Sequence, residues 1–410
     1  MISRQRIQQQ LAALKGITAQ GKGINRLAFT DADWQGRAYL MGLMREAGME
    51  LREDSFGNVI GHVKGADESL SAVMFGSHGD SVPEGGNFDG IVGILAAIET
   101  VRSMQEDGFT PQRPIEVVLF LCEESSRFSA ATLGSRAMRG ELSHDDLLRL
   151  HDKEGHTLYE VLKSRHLDPD HIESARYTRP LRAFLELHIE QGKVLEHEGL
   201  PIGLVTGIAA PTRFYVNFHG SADHSGATPM NLRHDGLCAA SEAVLAVERE
   251  ASSYTKAPVV GTVGILQVTP GVMNVIPGEV RIGVDIRSIS AEAKDAVEQA
   301  VRQDIEAIAE RRQLNYDIEP VSKEQPAHMD AALVDLLEET AKELAIPCCR
   351  MMSGAGHDSM HWADYAPTAM LFIPCRAGIS HNPAEFAKLE DIVRGTELLS
   401  AAVRKLAKMV

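Results

Sequence analysis

SHGDSVPEGGNFDGIVG, residues 77–93, decides how the rest of the chain reads. His78 is followed two residues later by Asp80, then by a Gly-Gly turn at Gly85 and Gly86, then by a second carboxylate, Asp89. This is half of a metal site. His78 ligates through one ring nitrogen, Asp80 accepts the proton on the other and fixes the tautomer, and Asp89 has two oxygens with which to bridge two ions. A lone HxD loop is an ordinary polar connection between a strand and a helix. Matching fragments downstream, each at the end of an expected strand, give this one its meaning.

Working outward, residues 58–63 and 72–76 read as short strands, the second ending directly before His78. After the turn, Ile91, Ile94, Leu95, Ile98 and Val101 fall at helical spacing and bury one face. The run IEVVLFLC, 115–122, suits a strand covered on both faces of a parallel sheet, and it leads straight into Glu123 and Glu124. A third strand, 183–187, leads into His188. Helices are expected over 3–14 and 30–47, the latter with Asp31 and Asp33 at its amino end. Strand followed by helix, repeated, means α/β with a mixed, mostly parallel sheet, and in such sheets the site lies beyond the carboxyl ends of strands.

The middle of the chain changes character. Residues 213–219 alternate, a helix is expected over 232–250, strands over 259–268 and 280–287, a helix over 291–311 and a final strand over 315–319. The order β-α-β-β-α-β is that of a ferredoxin-like α+β unit, so 213–325 reads as a domain inserted into a catalytic domain made of 1–212 and 326–410. The tail returns to α/β style, with a helix near 331–344, a strand near 368–373 and a terminal helix near 389–406.

Composition narrows the possibilities. A chain of 410 residues suits two domains, and a net charge of −16 without any Lys/Arg cluster excludes a nucleic-acid partner. Five cysteines without CxxC spacing fit reduced thiols. MISRQRIQQQLAALKG lacks the apolar core of a signal peptide, and no window is long enough to cross a bilayer. The expected location is the cytoplasm.

The strand-end residues form one set: His78, Asp89, Glu123, Glu124, His188, and His381 in GISHNPAE. Two histidines and a carboxylate make a catalytic metal shell, and a bridging Asp89 lets two shells share one ligand. Asp89 with His78 and His188 holds one ion; Asp89 with Glu124 and His381 holds the other. Glu123 is left over as a general base. A nucleophilic mechanism through Ser125, Ser126 or a cysteine has no GxSxG elbow or recognisable cysteine motif behind it.

GSHGDSVPEGGNFDG, EESSRFSAATLGSRAMRG, LELHIEQGKVLE, GSADHSGATPM, GVMNVIPG, GAGHDS and GISHNPAE together resemble the zinc-dependent amidohydrolase branch that contains N-carbamoyl-L-amino-acid hydrolases, allantoate amidohydrolases and β-ureidopropionases, within the superfamily of aminoacylases and glutamate carboxypeptidases. The similarity spans nearly the whole chain, in order. Gly79 departs from it, where Leu or Ile is expected. The resemblance implies a two-metal catalytic domain interrupted by a dimerisation domain, with the same five ligands and Glu123 as the base. It further implies that Gln191, His224, Asn274 and Arg287 bind substrate. Arg287 and Asn274 would grip a carboxylate, and His224 would reach the scissile carbonyl from the neighbouring subunit. It places His357 and Asp358 at the site, His357 among the residues that bind substrate. Arg213 stands where an allantoate enzyme uses a basic residue, whereas SRAMRG resembles the carbamoylases.

The expectation is therefore a homodimeric hydrolase of a linear C–N bond, acting on an N-carbamoyl-L-amino acid, with allantoate or β-ureidopropionate as alternatives. An N-acyl amino-acid deacylase or dipeptidase, or a non-catalytic binding protein, stands further off. The donors are mixed N and O without thiolate, so two divalent ions per subunit are expected, zinc first, with manganese, cobalt or nickel acceptable.

Overall fold

Residues 72–78, AVMFGSH, form a strand buried at every position, because both faces of the sheet around it are covered. The computed structural model describes residues 1–408. In chain order the strands are β1 (Glu50–Glu53), β2 (Val59–Val63), β3 (Ala72–His78), β4 (Ile115–Phe120), β5 (Leu181–Ile189), β6 (Ile202–Ile208), β7 (Ala210–His219), β8 (Val259–Thr269), β9 (Glu279–Ser288), β10 (Asn315–Lys323), β11 (Ala327–His328), β12 (Cys348–Ser353) and β13 (Thr368–Ile373). Contacts divide the chain into two compact units, Met1–Thr206 with the segment from His328 onward, and Gly207–Ala327.

In the first unit the sheet order is β1-β2-β4-β3-β5-β13-β6-β11, with β12 also pairing β6. The centre, β4-β3-β5-β13, is parallel, and β2 and β6 flank it antiparallel. This is the mixed, mostly parallel α/β sheet expected from the sequence. The helix Ile91–Glu106 packs on β3 and β5, and the helix Leu389–Lys408 packs on that helix in turn. Close approach requires Gly93: a Cβ there would stand 2.2 Å from the Leu187 carbonyl oxygen and 2.7 Å from Ser77 Cβ. The tightness fixes the loop before this helix, 79–90, against the carboxyl ends of β3 and β5.

Several features differ from the sequence reading, among them strand β6, which was not expected. Strand β5 continues to Ile189, so His188 is its penultimate residue rather than the start of a loop. Strands β1 and β12 form although neither carries an apolar pattern; β1 is mostly exposed and lies at an edge. The expected boundary at 213 falls inside β7, because Ala209 alone separates β6 from β7.

The second unit is a four-stranded antiparallel sheet in the order β10-β7-β9-β8. Helices Gly236–Ser253 and Ala291–Arg312 cover one face. Phe214, Val216 and Phe218 of β7 alternate with half-buried residues and join Val280, Ile282, Val284 and Ile286 of β9 and the helical Val247, Val297, Val301 and Ile305 in one core. Each such large side chain contributes ~1.5–3 kcal/mol by leaving water. The first helix begins four residues later than the periodicity suggests, since Asp235 caps the Leu237 and Cys238 N–H groups. Among the described residues no helix is long and apolar enough to cross a membrane.

Candidate metal centre

Each candidate ligand is placed by a strand end or a tight loop of the first unit. His78 closes β3, His188 nearly closes β5, and Glu123 and Glu124 follow β4. Asp89 precedes the helix Ile91–Glu106, whose N-cap Gly90 has φ 65° and no room for a side chain: a Cβ would fall 2.5 Å from the His78 ring. His381 sits in a loop, also at positive φ.

These residues converge in two groups that share Asp89: His78, Asp89 and His188, and Asp89, Glu124 and His381. Asp89 Oδ1 lies 3.5 Å from His78 Nε2 and 3.0 Å from His188 Nε2. Its Oδ2 lies 3.2 Å from His381 Nε2, which is 3.4 Å from Glu124 Oε1. A tetrahedral ion with bonds of ~2.1 Å has ligand-to-ligand edges of ~3.4 Å, so these spacings match a coordination shell.

Donor chemistry agrees. His78 Nδ1 faces the Asp80 carbonyl at 3.2 Å and His188 Nδ1 faces the Ile189 carbonyl at 3.0 Å. A carbonyl only accepts, so both protons sit on Nδ1, and the Gly90 N–H, donating to His188 Nε2 at 3.1 Å, also requires a lone pair there. Nitrogen lone pairs then point at a carboxylate oxygen, an arrangement that calls for a cation between them. His188 is buried, which lowers its pKa, yet Asp89 raises it overall; His381 is raised to about 9 by its bond to Asp89. Glu124 is pushed up to about 7 by burial and by Asp89.

Asp80 stands beside His78 Nδ1 and does more than the sequence indicates. Its carboxylate takes the main-chain N–H groups of Glu123 and Glu124, at 3.2 and 3.1 Å, and its Oδ1 stands 3.5 Å from His78 Nδ1, farther than its own carbonyl. Asp80 thus fixes the loop that carries Glu123 and Glu124. Glu123 belongs to neither trio, and its Oε2 lies 3.9 Å from His78 Nε2. Burial, Glu124 and Asp358 push its pKa well up against the pull of His78.

Two buried acids, Glu385 and Glu186, were not singled out from the sequence. Glu385 is buried, accepts the Phe88 and Asp89 N–H groups at 2.9 and 3.1 Å, and takes the Ser380 hydroxyl at 2.9 Å. Glu186 accepts from Ser77 at 2.8 Å and from the Ser359 N–H at 3.2 Å, tying β3 to the turn after His357. Gln191, placed in a left-handed conformation, donates to Asp89 Oδ2 at 2.8 Å. His357 is 2 % exposed, bonds Ser353 at 3.0 Å and packs edge-on against His188. Its ring thereby packs against a residue of the first trio. Gly79 lines a small void with Asp33, Arg37, Leu40 and Leu119; a Cβ there would lie 3.2 Å from Leu40 Cδ1 and 3.3 Å from Leu119 Cδ1.

The remaining expected residues belong to the second unit. His224 Nδ1 accepts the Gly226 and Ala227 N–H groups at 3.1 and 3.2 Å, which leaves its ring proton on Nε2 as an outward donor. Asn274 lies on the neighbouring loop, its carbonyl taking the Ser225 N–H at 3.0 Å. Arg213 and Arg287 share one carboxylate: Arg213 Nε meets Asp285 Oδ2 at 2.7 Å, while Arg287 Nε and Nη2 meet Asp285 Oδ1 and Oδ2 at 2.8 and 3.1 Å.

Residues 74–405 match the model of peptidase family M20/M25/M40. The chain is 40 % identical to an N-carbamoyl-L-amino acid amidohydrolase of Geobacillus stearothermophilus over 410 residues, covering all of both. It is 37 % identical to a ureidoglycolate hydrolase of Arabidopsis thaliana, over 98 % of this chain and 86 % of that one. A solved hydantoinase/carbamoylase-family amidase from Burkholderia multivorans superposes with TM-score 0.93 at 36 % identity, covering 100 % and 98 % of the two chains. This chain belongs to the M20/M25/M40 family. Within that family it falls among the amidohydrolases, enzymes that cut carbon–nitrogen bonds in linear amides. The M20/M25/M40 enzymes are metal-dependent, and the two trios around Asp89 are groups that could hold metal.

Proposed function

We propose that this member of the M20/M25/M40 family is a binuclear metal amidohydrolase that cleaves a small ureido acid, with an N-carbamoyl-L-amino acid as substrate. The observation that carries the reading is the pair of trios sharing Asp89, with Glu123 beside them and committed to neither. Two divalent ions held there would polarise the ureido carbonyl and make water a nucleophile at neutral pH. Glu123 would take the proton of that water and pass it to the leaving nitrogen. The ureido carbon gains the water oxygen and loses its bond to the amino-acid nitrogen. The carbamate released decomposes to ammonia and carbon dioxide.

On this reading the Nε2–H of His224 stabilises the developing oxyanion, Asn274 and Arg287 receive the substrate carboxylate, and Gln191 and Arg213 complete the polar contacts. His224 acts across a homodimer. In support, β8 is an edge strand of eleven residues, VVGTVGILQVT, with no charge to block pairing and with Val260, Ile265 and Leu266 exposed. The five free cysteines accord with a cytoplasmic location. The test is ammonia release from N-carbamoyl-L-amino acids, allantoate, β-ureidopropionate and ureidoglycolate, beside N-acetyl amino acids and dipeptides. Highest turnover is expected on a carbamoyl amino acid; turnover confined to the acetyl or peptide substrates would refute the proposal.

A further inference from the structure

In the second unit, between the helix Ala291–Arg312 and the β7–β10 pair, lies a cleft of about 370 Å³. The register of β10 shifts between Pro320 and Ser322, and this bulge opens the sheet beside Thr212 and Arg213. The volume falls in the range of small-molecule sites.

The polar groups lining the cleft are unevenly matched. Three are cations, Arg213, Arg302 and Lys323, and one is an acid, Glu298. That acid is already taken, by Arg302 Nε at 2.9 Å and Lys323 Nζ at 3.1 Å, and Lys323 Nζ meets a second acid outside the lining, Asp295, at 2.8 Å. The Arg302 guanidinium lies over the Phe214 ring at 4.7 Å, which holds its plane fixed. Two hydroxyls in the lining, Thr212 Oγ1 and Ser322 Oγ, are buried without a hydrogen-bond partner, and Thr212 is only 3 % exposed. A buried hydroxyl left unpartnered is costly, and beside three cationic side chains an acceptor carrying negative charge is a partner that suits both hydroxyls.

Arg213 also faces Asp285, which Arg287 grips through two nitrogens. The two arginines together hold the Asp285 carboxyl below the usual range, although its burial works the other way. An anion that draws Arg213 into the cleft leaves Asp285 to Arg287 alone, and Arg287 then yields less readily to another carboxylate.

We propose that this cleft binds a small oxyanion, a carboxylate or phosphate, and that its occupancy opposes carboxylate binding at Arg287 through their common partner Asp285. The second clause rests on the substrate role given to Arg287 above; the first does not. Coupling of this kind is reciprocal.

The test uses selenate, whose anomalous scattering locates it, soaked into crystals of the metal-loaded protein. A peak among Thr212, Ser322, Arg302 and Lys323 is expected, and it should disappear in Thr212→Val, a change of equal volume, and in Arg302→Gln. Displacement by phosphate at lower concentration than by succinate identifies a phosphorylated ligand, the reverse a dicarboxylate. In turnover assays, sulfate should raise KM about threefold or more beyond its effect in Thr212→Val. No peak in the cleft would overturn the site, and equal rises of KM in wild type and variant would overturn the coupling. If no ureido substrate were turned over at all, the selenate peak would still report on the cleft, so the two readings fail separately.

Discussion

Replacing Glu123 by Gln separates the base from the ligands. The glutamine keeps the shape and keeps the main-chain N–H that Asp80 holds at 3.2 Å, so the loop stays in place. Glu123 belongs to neither trio, so both should still hold metal. What disappears is the ability to accept a proton. Loss of a positioned base costs ~10²–10⁴-fold in turnover, which is ~2.7–5.4 kcal/mol on the barrier. Steady-state ammonia release gives kcat and KM, and elemental analysis of the same sample gives metal content. A fall in kcat of at least a hundredfold is expected, with KM and metal content little changed. Turnover within tenfold of wild type would refute the role, and loss of metal would mean that Glu123 is a ligand.

Three further outcomes follow from named contacts. Arg287→Lys should lower kcat/KM by about tenfold or more, because an ammonium cannot form a two-pronged contact, and the loss should shrink for a substrate whose carboxylate is amidated; equal losses would rule that contact out. Inactive Glu123→Ala and His224→Ala chains, co-expressed, should recover about a quarter of wild-type activity, since half the dimers are mixed and half their sites intact; no recovery in demonstrated mixed dimers would place His224 outside the partner's site. Burial raises Asp33 from 3.8 to about 7, so its contribution to stability is full below pH ~4 and is lost as pH rises through about 7, amounting to ~4 kcal/mol. Urea melts of Asp33→Asn, which can still accept the Phe29 N–H, should lack that decline, and parallel pH profiles of variant and wild type would contradict it.

The parts of the fold that the sequence displayed are those where one residue's neighbours in the chain determine its fate. The run 115–120 is apolar apart from Glu116 because both its faces are covered, and Glu123 and Glu124 stand out just beyond it. The alternation of β7 and β9 likewise reports one covered face. Glu385 and Glu186 were not visible in this way, because their partners lie 297 and 109 residues away, at Phe88 and Ser77, and only the fold brings them together. For Asp80 the residue was found but its partners were not: the carboxylate turns to the Glu123 and Glu124 amides, which no local spacing reveals. Asp285 went unmarked for the same reason, since its pairing with Arg213 depends on the β7–β9 register.

Asp89 belongs to both trios, so the claim that two ions share it has one direct test: metal content and turnover of the same sample, wild type beside Asp89→Ala, before and after chelation. The account predicts two divalent ions per chain in wild type, none in Asp89→Ala, and activity that vanishes on chelation and returns with added zinc, manganese, cobalt or nickel. Full turnover by a chelated sample that elemental analysis shows to be free of metal would contradict it.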